Sequence, residues 1–151
     1  MNYKKNLSWI FVIIWMVIIF LLSAQSANDS GSLSGGITDR IYQLLNIAFP
    51  NLNIETLHSI IRTLAHFTLY LVLGVLLLNA LNYTEQKQSA NFVLALLISF
   101  LYAISDEIHQ VFVPGRAGQI YDVLIDFLGS LIGVNTFLMY NKFIKKRKTK
   151  S

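Results

Sequence analysis

The sequence predicts an all-α protein: a four-helix transmembrane bundle with a short amphipathic helix in the first outer loop. Of its 151 residues, 54% are hydrophobic and 13% are charged, and the mean hydropathy is +0.54. A soluble domain usually carries about 25% charged residues. The apolar residues form four long segments, and no Pro- or Gly-rich linker separates them. We therefore expect a single membrane domain over residues 1–151.

The four apolar segments are predicted to be transmembrane helices at about residues 7–24, 57–81, 91–113 and 120–140. Each is close to the roughly 20 residues that a spanning helix needs. The first segment has an alternative interpretation, because Lys4, Lys5, the apolar run and the small residues after it resemble a signal peptide. The apolar run exceeds the usual signal core of about 7–15 residues, which favours an uncleaved membrane anchor.

The basic residues predict the topology. Lys4 and Lys5 precede the first helix, Lys87 lies in the second loop, and half of the 12 basic residues fall in the segment 142–151. The positive-inside rule then places both termini in the cytoplasm and the first and third loops outside. The 142–151 segment is predicted to be a cytoplasmic tail. We expect it to contact anionic lipid, and we expect no nucleic-acid partner.

The first outer loop carries its own helical pattern. Apolar side chains recur at helical spacing, with polar ones on the opposite side: Ile37, Ile41, Leu44, Leu45 and Ala48. This pattern predicts a short amphipathic helix on the membrane surface or across the mouth of the bundle, which Pro50 ends. Asn53 is predicted to cap the second membrane helix.

Polar residues of three predicted helices fall at one depth. In the second helix they come early, in the third they come late, and in the fourth they come early again. With a rise of about 1.5 Å per residue, all lie in roughly the outer half of the bilayer. Ionisable groups are costly there and usually face a partner, a cavity or a ligand. The candidate ligand-binding residues are Arg62, His66, Tyr70, Asp106, Glu107, His109, Gln110, Arg116, Asp122 and Asp126.

Structural roles compete with binding roles at these positions. Arg62 could form an ion pair with Asp122, Asp126 or Glu107, and the sequence does not choose among them. His66 and His58, which precedes it by about two helical turns, could each serve as a hydrogen-bonding partner between helices.

The sequence contains only weak indications of metal binding and none of cofactor binding. Asp106 and His109 are three apart and could bind a divalent cation, but a single such pair is a poor predictor, so no metal ligand is assigned. The sequence contains no cysteine, which excludes disulfides, thiolate catalysis and zinc–sulfur sites. With no Gly-rich phosphate loop, no cofactor is expected.

Gly129 and Gly133 form a small-xxx-small pair in the fourth helix, on the stripe that also carries Asp122 and Asp126. Such pairs let a neighbouring helix approach closely. The pair is predicted to pack helices, either within one chain or between chains, so the oligomeric state stays open.

Three segments resemble the VanZ-like family of small bacterial membrane proteins. They are Ile19 to Ser26, then Arg62 to Tyr70 with Gly74, and then Ser105 to Gln110 with Val113 to Arg116, Asp122, Asp126, Gly129 and Gly133. The resemblance implies a multi-pass protein of the bacterial cytoplasmic membrane, in the cell envelope. It also implies an association with glycopeptide resistance, toward teicoplanin in particular. It implies no known reaction.

Three functions remain open. In the first, the polar residues bind or move an amphipathic envelope lipid or a lipid-tailed glycopeptide, and Arg62 and Arg116 contact its phosphate or carboxylate. In the second, the protein is a membrane enzyme with Glu107 or Asp106 as general base, His66 or His109 as its acid–base partner, and the arginines stabilising negative charge. No nucleophile motif supports this hypothesis. In the third, the charges only join the protein's own helices.

Overall fold

A computed structural model of the chain describes residues 2–24, 53–114, 116 and 118–148. These residues form four helices and no strand: α1 (Asn2–Ser23), α2 (Ile54–Leu81), α3 (Gln88–Val111) and α4 (Ile120–Lys148). All four are long and apolar enough to cross a membrane. The predicted all-α architecture with four spanning helices is thus confirmed. The amphipathic helix predicted in the first outer loop lies outside the described residues.

Two of the helix ends differ from the predicted ones by five residues or more. α1 begins at Asn2 rather than near residue 7, and α4 continues to Lys148, past the predicted end at 140. The start of the predicted basic tail is therefore helical. Lysine and arginine lose little rotamer freedom in a helix, and cations are favourable near a helix C-terminus, so nothing ends α4 at the apolar boundary. At the start of α2, Asn53 accepts a hydrogen bond from the backbone of Glu55 at 2.8 Å, as a cap does.

Hydrogen bonds across the bundle define the helix directions. The indole N–H of Trp15 donates to the carbonyl of Leu69 at 2.9 Å, and Asn79 donates to Ser8 at 3.3 Å, so α1 and α2 are antiparallel. The start of α1, the α2–α3 loop and the end of α4 consequently lie at one end of the bundle. The polar parts of α2, α3 and α4 lie toward the other end.

Three glycines bring α2 and α4 into close contact. A Cβ atom at Gly129 would collide with the carbonyl of Phe67, and one at Gly133 would collide with the carbonyl of Leu71. On the facing helix, a Cβ at Gly74 would lie 2.5 Å from the carbonyl oxygen of Ser130. The Gly129 and Gly133 pair therefore packs within the chain. Because backbone meets backbone here, polar side chains one or two turns away can reach across the interface.

α2 and α4 run parallel with a constant register. The hydroxyl of Ser130 donates to the carbonyl of Tyr70 at 3.1 Å, an offset of 60 positions. Below this contact the core is apolar, with Leu73, Leu77 and Val134 fully buried. The α2–α4 interface is thus apolar on one side of Tyr70 and polar on the other.

Candidate functional site

Two side-chain contacts join α2 to α4 above the glycine contact: an Arg–Asp ion pair, and a His–Asp contact that is ionic when the imidazole is protonated. The Nη2 atom of Arg62 lies 2.6 Å from Oδ2 of Asp122. One turn further along both helices, Nδ1 of His66 lies 3.2 Å from Oδ1 of Asp126. Both aspartates are buried, and Asp126 is 0% exposed. Among the three partners that the sequence left open for Arg62, Asp122 makes this ion pair.

Gln110 connects α3 to this arrangement. It is 0% exposed, and its amide uses both of its functions. The carbonyl oxygen accepts from Nη2 of Arg62 at 3.4 Å, and the NH₂ group donates to Oδ2 of Asp106 at 3.4 Å. A side-chain amide can bridge a cation and a carboxylate in this way, because it carries both a donor and an acceptor.

Glu107 holds the beginning of α4. Its Oε2 atom accepts a hydrogen bond from the backbone N–H of Gln119 at 2.7 Å, directly before α4 begins at Ile120. A carboxylate at a helix N-terminus satisfies an orphan donor and complements the helix dipole. Gly118 allows the approach, since a Cβ there would lie 2.8 Å from the backbone oxygen of Glu107. Gln119 makes this contact through its backbone N–H, so its side-chain type could not have predicted the contact from the sequence.

Arg116 in the α3–α4 loop lies within electrostatic range of Arg62 and of three carboxylates, Asp106, Glu107 and Asp122. Partial burial lowers the pKa of its guanidinium from the usual value, and the charge of Arg62 lowers that pKa further, while the carboxylates act in the opposite direction. Two arginines thus share one region with these carboxylates.

We call the following residues the polar cluster: Arg62, His66, Tyr70, Asp106, Glu107, Gln110, Arg116, Asp122 and Asp126. They come from α2, α3, α4 and the α3–α4 loop. Every predicted ligand-binding residue except His109 is in this set. Ser23, at the end of α1, also lies near Asp106, without meeting hydrogen-bond geometry.

The polar cluster contains buried atoms without a hydrogen-bond partner in the described structure. They include Oδ1 of Asp106, Oε1 of Glu107, the hydroxyl of Tyr70 and Nε of Arg62. A buried polar atom left unsatisfied costs about 1–3 kcal/mol, so such atoms are rare in native proteins. Their concentration in one place indicates hydrogen-bonding capacity that the chain's own described atoms do not use.

His109 takes a different position. Its ring stacks on Phe20 of α1 with 4.4 Å between ring centroids, and its Nε2 atom is buried without a hydrogen-bond partner. The helical repeat explains this, because a residue three after Asp106 lies to one side of the face that Asp106 and Gln110 share. The side chain of His58 lies outside the described part of the chain.

Four cluster members lie close enough together that they could hold a metal ion. One ligand atom each from His66, Asp106, Glu107 and Asp126 lie within 4.8 Å of one another. The sequence had suggested Asp106 with His109, and no metal ligand was assigned from it. The structure groups Asp106 with residues of α2 and α4 instead.

A shallow, largely apolar groove lies elsewhere, toward the opposite end of α3. It is lined by Gln86, Ser89, Ala90, Val93, Leu94 and Leu97. None of these six residues is ionisable.

Comparison with known families gives a match over most of the chain. The family model described as VanZ/LLP1 matches residues 8–141, which include every residue of the polar cluster. No curated protein and no solved structure matches.

Proposed function

The chain belongs to the VanZ/LLP1 family and is a multi-pass membrane protein, and from that premise we propose that its polar cluster binds an anionic headgroup. The headgroup is that of an amphipathic molecule of the bacterial envelope: a polyprenyl phosphate lipid or a lipid-tailed glycopeptide such as teicoplanin. The protein binds or moves this molecule in the outer leaflet of the cytoplasmic membrane.

The observation that carries the proposal is the bonding of Arg62. Its guanidinium has five N–H donors, and the two hydrogen bonds to Asp122 and Gln110 both come from Nη2. The Nε donor is buried without a partner, yet the side chain as a whole is 36% exposed. Arg62 is therefore held in place by one end while it keeps donors for an incoming oxygen anion. The planar guanidinium matches phosphate and carboxylate groups.

Arg116 supports the same conclusion. It shares the region with Arg62, and their mutual repulsion lowers the pKa of Arg116. An anion between two guanidinium groups relieves this repulsion and gains charge-assisted hydrogen bonds. Asp122 orients Arg62 from the buried side, so this carboxylate positions Arg62 for the ligand.

The surroundings of Arg62 suit an amphipathic ligand. On α2 the neighbouring Ile60 and Leu64 are 48% and 57% exposed, and at the start of α4 Ile120 is 84% exposed. In a spanning helix such side chains face lipid tails. A headgroup could reach Arg62 laterally from the bilayer while its tail stays among lipids.

Binding to purified protein in nanodiscs tests the proposal. The probes are a fluorescent polyprenyl phosphate and, separately, teicoplanin. We expect saturable binding of at least one probe, weakened about tenfold or more by Arg62→Gln and by Arg116→Gln, which corresponds to about 1.4 kcal/mol. The matched control is Arg147→Gln in the basic end of α4, which makes the same chemical change far from the cluster. Binding that these three variants affect equally would overturn the proposal.

The same samples separate the alternative functions. A new lipid species after incubation would identify an enzyme rather than a binding protein. The single variants Glu107→Gln, Arg116→Lys and Asp122→Asn address the structural alternative. If all three remain folded and keep the envelope phenotype of the native chain, the charges serve only the helices.

A further inference from the structure

We propose that His66, Asp106, Glu107 and Asp126 form a binding site for one divalent transition-metal ion such as Mn²⁺ or Zn²⁺. The site lies on the buried side of the polar cluster and does not depend on the lipid-binding proposal. Its ligands come from three helices, so a bound ion would also join α2, α3 and α4.

The spacing of the four side chains fits one ion. Metal–oxygen and metal–nitrogen bonds are about 2.1 Å long, so two ligand atoms on opposite sides of an ion are about 4.2 Å apart. The four candidate atoms lie within 4.8 Å of one another. In a tetrahedral site the ligand atoms are closer, about 3.4 Å apart, so the side chains would rotate toward the ion to complete its coordination.

The hydrogen bonds of the two α3 carboxylates leave one oxygen of each side chain for a ligand. Asp106 accepts from Gln110 through Oδ2, and Glu107 accepts from the Gln119 backbone through Oε2. In each case the second oxygen, Oδ1 or Oε1, is buried and has no hydrogen-bond partner among the described residues. The two residues are 3% and 6% exposed. Metal-binding carboxylates are typically positioned by such outer hydrogen bonds.

Tyr70 provides an observation that is independent of the four ligands. It follows His66 by one turn of α2, is 0% exposed, and lies within electrostatic range of Asp106, Asp126 and Glu107. Within the part of the chain that the structure describes, its hydroxyl has no hydrogen-bond partner. A metal-bound water is a partner that would satisfy this buried group, since ordered waters serve unsatisfied polar atoms.

The charge of the polar cluster favours a cation. Its four carboxylates are Asp106, Glu107, Asp122 and Asp126, and they face two guanidinium groups, those of Arg62 and Arg116. Acidic side chains thus outnumber the basic ones, and unbalanced negative charge in a buried membrane region is costly unless it is compensated. A divalent cation supplies positive charge at the place where three of the carboxylates meet.

The donor set selects the class of metal. Three carboxylates and one imidazole are oxygen and nitrogen ligands, which suit Mn²⁺, Fe²⁺ and Zn²⁺ better than soft ions that prefer sulfur. The absence of cysteine from the whole sequence agrees with this choice.

Metal titration of the purified full-length protein tests the inference. The protein in detergent is stripped with a chelator and titrated calorimetrically with Mn²⁺ or Zn²⁺, and bound metal is counted by mass spectrometry. We expect one ion per chain. Glu107→Gln and Asp126→Asn should weaken binding by at least about 100-fold, beyond the roughly 10–100-fold typical of an outer-shell change. Glu85→Gln, in the α2–α3 loop, is the matched control and should bind like the native chain.

Thermal unfolding provides a second measurement. The ion should raise the unfolding midpoint of the native chain and of Glu85→Gln, and it should leave that of Glu107→Gln unchanged, because a ligand stabilises only the state that binds it. Glu107→Gln is nearly isosteric and keeps an acceptor for Gln119, so it carries the test if Asp126→Asn does not fold.

The metal titration and the unfolding measurement do not depend on the headgroup proposal, because neither contains a lipid probe. Arg62→Gln removes no metal ligand and should keep the ion even where it loses the headgroup. Lack of saturable binding, or equal affinity in Glu107→Gln and Glu85→Gln, would overturn the metal site and leave the headgroup proposal standing.

Discussion

The side chains of Arg62 and Asp122 meet at 2.6 Å although they are 60 positions apart in the chain, and His66 and Asp126 repeat the same offset one turn later. This repetition is possible because α2 and α4 are parallel and in contact through glycine. These two side-chain pairs and the glycine contact therefore belong to one interface. A substitution at either one should change the geometry of the other.

The coupling of Arg62 and Asp122 can be measured with a double-mutant cycle of Arg62→Gln and Asp122→Asn. Removing one partner of a fully buried ion pair typically costs about 3–5 kcal/mol. The Arg62 side chain is 36% exposed, so solvent and headgroups reduce the value. We expect a coupling of roughly 1–2 kcal/mol in the free energy of unfolding in detergent. Simple additivity of the two single changes would contradict the ion pair.

Gly133→Leu should destabilise the bundle, because a side chain there would collide with the backbone of Leu71. Overpacking of a close contact costs about 1–3 kcal/mol, and more where backbone must move. The matched control is Ala65→Leu, which adds comparable bulk at an exposed position of α2. Thermal unfolding monitored by size exclusion should show a lower midpoint for Gly133→Leu alone. Equal midpoints would mean that α2 and α4 do not pack through this glycine.

Glu107→Ala should loosen the first turn of α4, since it removes the acceptor for the backbone N–H of Gln119. Loss of a helix N-terminal partner costs about 1 kcal/mol. Hydrogen exchange of the peptide that covers Gln119 to Asp122 should accelerate in Glu107→Ala. Glu107→Gln keeps an oxygen acceptor and should exchange more slowly than Glu107→Ala. Identical exchange in the native chain and both variants would argue against this contact.

The topology can be tested directly because the chain has no cysteine of its own. Single cysteines are introduced as Glu85→Cys in the α2–α3 loop, Pro114→Cys in the α3–α4 loop and Lys146→Cys near the end of α4. If the positive-inside prediction holds, a membrane-impermeant maleimide labels only Pro114→Cys in intact cells. The other two should react after permeabilisation. The reverse pattern would turn the polar cluster toward the cytoplasm.

The sequence predicted the number of helices and the composition of the polar cluster well. Apolar segments of spanning length have few other stable structures in a bilayer, which is why four of them predict four helices. The depth argument brought together Arg62, Gln110 and Asp126 correctly, because distance along a helix axis follows from residue count. Helix ends were less predictable: basic residues after the apolar part of α4 continue the helix to Lys148.

Residue spacing could not predict which side chains of different helices contact each other. Residue positions alone did not choose among Asp122, Asp126 and Glu107 as partners of Arg62. It also treated His109 like its neighbours, whereas its ring stacks on Phe20 of α1. The rotation of each helix about its own axis depends on contacts with all the others, so it is not contained in the pattern of any single segment.

The amino-acid sequence by itself determined a membrane bundle with its ionisable groups concentrated at one depth, because hydrophobic length and helical rise are local properties. The tertiary structure alone decided which groups face one another. Close glycine packing sets the α2–α4 register, and that register pairs Arg62 with Asp122 and His66 with Asp126. The approach of α3 then adds Asp106 and Glu107 to His66 and Asp126, since only packed helices bring residues 19 or more positions apart on different helices within ligand distance of each other.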